Sequence, residues 1–312
     1  MYKVTPTTTT SAHDIMNRVI GIDIGGTQIK MAAFTTEGQL LAKWTRPTED
    51  KPGTDVPPFA QTVRAMLAEL AQADCCVGLA APGVPALHQR WIEFQPGKMH
   101  GIERFDWTEF LGRSRIVPVL NDAHAALLGE AWQGAAVGCR HAILLTLGTG
   151  VGGAILADGK LFRGALGRAG HFGHVSITDN DDRSIFGTPG SLEAAIGNYT
   201  VARRSGGRFT STEALVDAYA KGDPEAAVVW LASIRALARA ITSFINILDP
   251  ELVIIGGGIA RSGSLLFDPL NEFLDQMEWR PAGHRVRIVP AALGEWAGTY
   301  GAARLALETA AR

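Results

Sequence analysis

The chain has little cysteine: its 312 residues contain only Cys75, Cys76 and Cys139. Two of the three are adjacent and none forms a C-x-x-C pair, so their spacing suits neither a disulfide framework nor a zinc knuckle. This cysteine usage predicts a protein of the reducing cytoplasm.

An excess of charge of either sign is also missing. The sequence has 29 basic and 31 acidic side chains, which gives a net charge of −2. Such a balance creates no long-range field that would gather nucleic acid or an anionic membrane, so we expect neither as a partner. Any anion that the protein binds must be held by local groups.

Targeting segments and long apolar runs are not evident. Residues 1–18 carry a run of threonines and no apolar stretch of the kind found in signal peptides, so we predict a disordered tail there. No later stretch is expected to be apolar enough to span a bilayer. Apolar residues make up 46% of the chain, which is enough for the cores of two ordinary domains.

Two common nucleotide motifs can be excluded. The sequence contains no G-x-x-x-x-G-K-[ST], so there is no P-loop. Gly148, Gly150 and Gly153 match the dinucleotide pattern G-x-G-x-x-G, but the residues that follow, AILADGKLF, predict a strand. The dinucleotide fold requires a helix at that point, so this assignment is rejected.

The pattern of apolar runs predicts an α/β protein. VIGIDI, IKMAAF and QLLAKW predict three consecutive strands from Val19, and AILLTLGTGVGGAILADGKLF repeats the same layout later, which indicates an internal duplication. Thr210 and Glu213 have the spacing of a capping box. The apolar positions from Leu231 to Leu248 predict a long amphipathic helix, and the last fifteen or so residues predict a terminal helix.

Three glycine-rich turns each follow an apolar strand. Glycine at a strand end lets backbone N–H groups approach a phosphate closely, and a threonine hydroxyl adds a donor. For any one of these turns an ordinary hairpin or strand-to-helix turn is the favoured explanation, but three in one chain favour a nucleotide. The residues are Gly25, Gly26 and Thr27; Gly148, Thr149 and Gly150; and Gly256, Gly257 and Gly258.

Six segments together resemble the ROK family of sugar kinases. GIDIGGTQIKMAAF, GLAAPGVP, VLNDAHAALLGEAW, LLTLGTGVGGAIL, GRAGHFGHVSI and DPELVIIGGG occur in the order seen in that family and cover nearly the whole chain from Val19. The resemblance implies a two-domain actin-like ATPase (ribonuclease H-like) fold with a nucleotide and sugar cleft between the domains. It also implies a small domain of residues 19–120 and 298–312, a large domain of residues 121–297, MgATP as the donor, and a homodimer.

The resemblance assigns roles to four residues in the first half of the chain. Asp122 would be the base that deprotonates the sugar hydroxyl, although a helix N-cap would explain an aspartate there equally well. Asn121 would hold sugar hydroxyls, and Gly83 would contact the sugar through its backbone, although a turn glycine would look the same. Asp23 would hold the hydrated Mg²⁺ of MgATP, with a surface turn aspartate as the alternative.

The segment from Gly170 to His174 occupies the place of the family's E-x-G-H motif, so His171 replaces a sugar-binding Glu. His174 matches the histidine that binds the sugar and a structural zinc. Glu193 matches another sugar-binding Glu, with a capping carboxylate as the alternative. Where the family has its three zinc cysteines, this chain has Ser184, Phe186 and Ser191. We therefore predict that the zinc is absent and that packing around Phe186 and Pro189 replaces it.

These assignments predict phosphorylation of the 6-hydroxyl of a hexose, with glucose first and N-acetylmannosamine or another amino sugar next. Two alternatives of another class belong to the same family. Transcription repressors carry a helix-turn-helix ahead of the first glycine turn, and the residues before Val19 are too few to form one. A non-catalytic sugar sensor is opposed by Asp122 but favoured by His171 and the missing cysteines.

Overall fold

The computed structural model describes residues 18–70, 75–179 and 181–311. The tail predicted for residues 1–18 lies outside the described residues, except for Arg18, which begins the first strand. The chain forms two compact units. Unit 1 comprises Met1–Ala125 and Gly298–Arg312, and unit 2 comprises Ala126–Ala297.

Unit 1 is built on a five-stranded sheet of order β3-β2-β1-β4-β7. Its first three strands form antiparallel pairs, and β4 and β7 add to β1 in parallel. A separate two-stranded ribbon, β5 and β6, follows β4. The strands are β1 (Arg18–Ile24), β2 (Gln28–Thr35), β3 (Leu40–Pro47), β4 (Cys76–Ala81), β5 (Val84–Pro85), β6 (Ile92–Phe94) and β7 (Val119–Asn121).

Helices cover both faces of this sheet, which is why β1 and β4 are apolar almost throughout. Helix α1 (Pro58–Ala68) contributes Phe59 and Val63 to the core, where the short helix α2 (Trp107–Phe110) adds the buried Trp107. The terminal helix lies against the strands so closely that a Cβ on Gly21 would stand 1.8 Å from the Thr299 carbonyl oxygen. The predicted terminal helix is confirmed as Ala297–Ala310, numbered α9 below.

Unit 2 contains a second five-stranded sheet, of order β10-β9-β8-β11-β12. In both sheets the first strand is central, the next two strands follow on one side as successive antiparallel pairs, and two strands parallel to the first lie on the other side. The predicted duplication is confirmed by this shared topology. The strands are β8 (Ala142–Leu147), β9 (Val151–Ala157), β10 (Lys160–Leu161), β11 (Leu252–Gly256) and β12 (Arg287–Pro290).

Helix α3 (Asp122–Gln133) begins in unit 1 and continues into unit 2. The next five helices, α4 to α8, belong to unit 2, and one capping prediction is wrong there. Ser211, and not Thr210, is the N-cap of α6, because its hydroxyl accepts the N–H of Ala214. The remaining helices are α4 (Leu192–Ile196), α5 (Val201–Arg204), α6 (Thr212–Ala220), α7 (Pro224–Leu248) and α8 (Ser264–Met277).

Helix α7 corrects the expectation that no stretch is apolar enough to span a bilayer. By length and composition alone this helix could cross a membrane, since it has 25 residues and a mean hydropathy of 1.5. More than half of that stretch is buried inside the protein. The core of unit 2 includes residues of this helix, among them Trp230, Ile234, Leu237 and Ile241. The apolar face of α7 is therefore packed inside the protein.

Candidate active site

Asn121 and Asp122 lie where β7 ends and α3 begins. The Oδ1 atom of Asn121 accepts the N–H groups of Ala123 at 2.9 Å and His124 at 3.3 Å, and its Nδ2 donates to the Gly83 carbonyl at 3.0 Å. Asn121 therefore caps the helix. Asp122 is the first helical residue, and its Oδ1 atom also accepts the Ala123 N–H, at 2.8 Å. Since Asn121 supplies the cap, an N-cap role does not explain Asp122.

Asp23 is a partly buried carboxylate in unit 1, near the end of β1. Burial and then the charge of Asp122 raise the pKa of Asp23 to about 7, while Lys30, its partner on β2, opposes the shift. Asp122 is an exposed residue, but partial burial of its carboxylate raises its pKa as well. A partly buried acid whose ionisation is opposed by a nearby acid is more typical of a functional site than of a surface turn.

Gly298 makes room for the Asp23 carboxylate. A Cβ at position 298 would stand 2.7 Å from Oδ2 of Asp23, which is closer than real Cβ contacts. The first turn of α9 thus lies directly against Asp23. Gly298 could not be predicted from the sequence, because no local pattern connects it to a strand at the opposite end of the chain.

The two carboxylates fit a magnesium ion. Carboxylate oxygens are ligands that Mg²⁺ prefers, and a divalent cation would offset the repulsion that raises the pKa of Asp23. No group of three or more His, Cys, Asp or Glu side chains that could hold a metal occurs among the described residues. Mg²⁺ needs no such group, because it is usually bound through one or two carboxylates, waters and substrate phosphates.

The first glycine turn, Gly25 to Thr27, joins β1 and β2 in unit 1. Thr48 holds it from one side: its hydroxyl donates to the Gly25 carbonyl at 2.7 Å and its N–H donates to the Thr27 carbonyl at 2.9 Å. A Cβ on Gly26 would meet nothing within 4 Å, so the other side of the turn is open.

The two glycine turns of unit 2 lie side by side. Strands β8 and β11 are parallel neighbours with Gly256 opposite Thr146, so the turns that follow them meet at one edge of the sheet. Gly257 has φ +86°, and a Cβ there would stand 2.3 Å from the Leu147 carbonyl oxygen. Glycine is required at this position by both the backbone angle and the contact.

A cavity of about 600 Å³ opens beside these turns within unit 2. Its volume lies in the range of small-molecule sites. Of the predicted phosphate-binding residues, Gly148, Thr149 and Gly258 line it, whereas Gly150, Gly256 and Gly257 do not. The remaining wall comes from α6 and from the residues around it: Asn198, Ser211, Thr212, Glu213, Val216, Asp217, Ile259, Arg261, Ser262 and Leu265.

The chemistry of this cavity fits a nucleotide. Backbone and hydroxyl donors of the glycine turns stand at one part of the wall, and apolar and polar side chains form the rest. Thr212 is 5% exposed, and its buried hydroxyl has no hydrogen-bond partner among the described residues. The contribution of α6 to the cavity could not be predicted, because the local sequence pattern there indicates a helix cap and not a ligand site.

His171, His174 and Glu193 form a cluster in unit 2. The Nδ1 atom of His174 is 3.6 Å from Oε1 of Glu193, and the two histidine rings are stacked with centroids 6.3 Å apart. Glu193 is 3% exposed and accepts the N–H groups of Ile185 at 2.8 Å and Val151 at 3.3 Å. Its carboxylate therefore already connects two segments of the chain.

The Glu193 carboxylate also lies against the second glycine turn, since a Cβ on Gly150 would stand 2.4 Å from its Oε2 atom. Gly150 thus keeps Glu193 close to Thr149, which lines the cavity. The predicted sugar-side and phosphate-side residues of unit 2 are therefore neighbours in the structure.

The segment that replaces the zinc loop is held by hydrogen bonds. Ser184 accepts the Thr188 N–H at 2.9 Å, and Ser191 caps α4 by accepting the Ala194 N–H at 3.2 Å. The prediction that packing around Phe186 and Pro189 holds this loop is wrong, because Pro189 is exposed and Phe186 is 58% exposed, with its ring beside that of His174 at 5.1 Å. Both serines are buried, so their hydroxyls replace the missing thiolates as loop anchors.

Comparison with known proteins agrees with this arrangement. The ROK family model matches residues 19–309. The chain is 33% identical to a glucokinase of Thermotoga maritima, over 93% of this chain and 98% of that protein. It is 28% identical to an N-acetylmannosamine kinase of Vibrio cholerae, over 88% and 94% of the two chains. A ROK family glucokinase from Streptomyces griseus, solved with glucose and AMPPNP, has a TM-score of 0.74 at 27% identity, covering 93% of this chain and 99% of that one.

The duplicated five-stranded sheets, the glycine turns at their strand ends and the likeness to solved sugar kinases define an actin-like ATPase fold. The predicted α/β fold class is confirmed. The chain belongs to the ROK family, as its motifs predicted.

Proposed function

We propose that this protein transfers the γ-phosphoryl group of ATP to the 6-hydroxyl of a hexose, glucose first, with Asp122 as the general base. That the chain is a sugar kinase rests on its family and on its similarity to glucokinases over nearly its whole length. The observation that supports the chemistry is the pair of interacting carboxylates in unit 1, the partly buried Asp23 and the exposed Asp122.

Asp122 has the properties of a base for a hydroxyl. Phosphoryl transfer requires little covalent help beyond a positioned carboxylate that accepts the proton. Helix α3 fixes the Asp122 backbone, Ala123 orients its carboxylate, and burial raises its pKa and so its proton affinity. Asn121 positions the same helix end, and its amide has a further N–H with which to hold a sugar hydroxyl.

Asp23 is proposed to hold Mg²⁺, which when bound offsets the negative charge of the phosphates. Its raised pKa supports this role, because a partly buried carboxylate that is costly to ionise alone gains most from a cation. Gly25, Gly26 and Thr27 begin two residues after Asp23 and offer backbone groups to a phosphate.

ATP is proposed as the donor in preference to polyphosphate. The support is the cavity beside Gly148, Thr149 and Gly258, whose walls extend well beyond the glycine turns. A phosphate chain alone has no use for the apolar and hydroxyl groups that α6 contributes. A nucleoside fills such a space and offers hydrogen-bonding groups to Thr212.

The residues proposed to hold the sugar are Gly83, Asn121, His171, His174 and Glu193. N-acetylmannosamine is the second candidate substrate. It is favoured by His171, which replaces the usual Glu, and by the likeness to an N-acetylmannosamine kinase. The buried serines of the loop that contains Phe186 support a zinc-free sugar site.

The test is ADP release across a panel of hexoses and N-acetylhexosamines, with inorganic polyphosphate as an alternative donor. We expect glucose to give the highest kcat/KM and Asp122→Asn to lose turnover while still binding sugar. If no sugar stimulates ADP release, or if the variant retains it, the proposed function is wrong. A preference for N-acetylmannosamine would decide for the second candidate.

A further inference from the structure

A short turn, Gly197 to Thr200, joins α4 to α5 and connects the two groups of predicted site residues in unit 2. The N–H of Asn198 donates to the Gly148 carbonyl at 2.9 Å, and the N–H of Tyr199 donates to the Thr149 carbonyl at 3.1 Å. The Gly148 and Thr149 carbonyls of the second glycine turn are therefore both held by this 197–200 turn.

The same turn ends the helix that carries Glu193. The Gly197 N–H donates to the Glu193 carbonyl at 2.8 Å. A Cβ on Gly197 would stand 2.6 Å from that carbonyl oxygen and 2.8 Å from the Thr149 carbonyl oxygen. The backbone carbonyls of Glu193 and Thr149 thus both lie against the Cα of one glycine, so a shift of either one affects the packing of the other.

Arg204 holds the 197–200 turn from its other side. Its Nε donates to the Thr200 hydroxyl at 3.0 Å, its Nη2 donates to the Gly197 carbonyl at 3.1 Å, and its Nη1 donates to the hydroxyl of Ser233 on α7. All three acceptors are neutral. The planar guanidinium thus spans the turn and the core helix at once, which a lysine ammonium could not do.

Burial lowers the pKa of Arg204 to about 10, so the side chain stays cationic at neutral pH although it is largely removed from water. Keeping a cation there without a hydrogen-bonded carboxylate is costly. Arg204 therefore contributes to the site through the geometry of its three donated hydrogen bonds rather than through an ion pair.

The connection extends to the cavity wall. The Oδ1 atom of Asn198 accepts the Thr212 N–H at 2.7 Å, at the start of α6. Asn198 therefore joins the phosphate-side turn, through its own N–H, to the helix that lines the cavity. Arg204, through the 197–200 turn, supports both walls of the nucleotide cavity and the helix of Glu193.

We propose that Arg204 is a positioning residue that couples sugar binding to nucleotide binding. A ligand that orders either Thr149 or Glu193 orders the shared turn, so the second ligand binds to a site already fixed. Such coupling is reciprocal: each ligand raises the affinity for the other by the same factor. The inference rests on the proposed function, which assigns Glu193 to the sugar and Thr149 to the nucleotide.

The test compares Arg204→Met with Arg203→Met. Arg203 is the neighbouring residue on the same short helix, but its side chain is half exposed and pairs with Asp182. Glucose affinity is measured by calorimetry with and without AMPPNP, alongside the steady-state constants. In the unaltered protein and in Arg203→Met we expect AMPPNP to tighten glucose binding by about tenfold.

In Arg204→Met we expect this factor to fall below about threefold and both KM values to rise by about five- to tenfold, with kcat within about twofold and the same pH profile of kcat. A merely structural loss of folded protein would lower the active fraction and leave both KM values unchanged. Arg204→Lys keeps the positive charge but loses the planar guanidinium, so it should show intermediate coupling. If Arg204→Met fails to fold, the coupling measured in Arg204→Lys tests the inference.

Two results overturn the inference: unchanged coupling in both Arg204 variants, or a rise in only one KM. If the unaltered protein shows no sugar-stimulated turnover but AMPPNP still tightens glucose binding through Arg204, the proposed reaction fails and the coupling stands. If it binds neither ligand, both fail.

Discussion

Asp23 and Asp122 are two carboxylates of unit 1 whose negative charges oppose each other, and the charge of Asp122 adds to burial in raising the pKa of Asp23 to about 7. Asp23 is the last residue but one of a strand and Asp122 begins a helix, so the backbone fixes both. This arrangement costs stability when both are ionised and no cation is bound. Its pH dependence is therefore the most direct way to examine the site.

The first prediction concerns Asp23→Asn. Between the ordinary aspartate pKa of 3.8 and about 7, the folded protein binds more protons at Asp23 than the unfolded chain does, so stability falls as pH rises through this window. The neutral amide removes this loss. We expect the variant to be more stable than the unaltered protein at pH 8, by on the order of 2 kcal/mol, and no more stable at pH 4. Urea unfolding without added Mg²⁺ at both pH values measures the difference.

Asp158→Asn is the control for that experiment, because the Asp158 side chain is 73% exposed and gains little from losing its charge. Addition of Mg²⁺ should stabilise the unaltered protein and not Asp23→Asn. An equal stability difference at pH 4 and pH 8 would contradict the assigned cause of the pKa shift.

The second prediction concerns the proposed base. Only the ionised form of Asp122 accepts a proton, and burial raises its pKa, so kcat should fall as pH is lowered, with a midpoint above 3.8. Asp122→Asn should lower kcat by about 10²- to 10⁴-fold and leave the KM for sugar within a few-fold. Its residual rate should lack this acidic limb. A variant with the same limb would show that another group titrates.

The sequence predicted the strands, the glycine turns and the Asn121–Asp122 junction because each depends on signals within a few residues: apolar runs, glycines and a strand-to-helix change. Contacts made across the fold left no such signal. Gly298 against Asp23, the α6 wall of the cavity and the role of Arg204 each join residues distant in the chain. Phe186 was assigned to packing because phenylalanine is usually buried, whereas the hydrogen bonds of two serines hold that loop.

The third prediction concerns Gly298→Ala. A methyl group there would stand 2.7 Å from the Asp23 carboxylate, which must then move. If Asp23 holds Mg²⁺ as proposed, its displacement by a fraction of an ångström should lower kcat/KM for MgATP by about ten- to a hundredfold and raise the Mg²⁺ concentration required. The KM for sugar should change little.

Gly301→Ala on the same helix is the comparison, because its methyl group would stand 1.7 Å from the Ala125 carbonyl oxygen and so strains backbone packing. It should lower the melting temperature without changing the Mg²⁺ dependence of the remaining activity. If the two variants respond to Mg²⁺ in the same way, Gly298 does not act through Asp23.

The fourth prediction concerns zinc. Ser184 and Ser191 hold the loop through their hydroxyls, and neither hydroxyl is a zinc ligand at neutral pH. Metal analysis of the purified protein should therefore find well below one zinc per chain, and EDTA should leave the melting temperature unchanged. Ser191→Ala should cost about 1 kcal/mol through loss of the α4 cap. One tightly bound zinc per chain would contradict the prediction.

The fifth prediction distinguishes a ligand-binding hydroxyl from a packing one. The Thr212 hydroxyl is buried at the cavity without a hydrogen-bond partner among the described residues, so replacing it with a methyl group of similar shape removes a desolvation cost in the free protein. Thr212→Val should therefore keep or raise the melting temperature without nucleotide. It should also raise the KM for ATP by about three- to tenfold, because the bound nucleoside loses a hydrogen bond.

The matched control is Thr242→Val, whose hydroxyl bonds the Ala238 carbonyl within α7 at 2.9 Å and does not line the cavity. That variant should leave the KM for ATP unchanged. Loss of stability in Thr212→Val together with an unchanged KM would assign Thr212 to packing. Equal use of polyphosphate and ATP by the unaltered protein would remove the reason for a nucleoside-binding wall, because a phosphate chain makes no use of this hydroxyl.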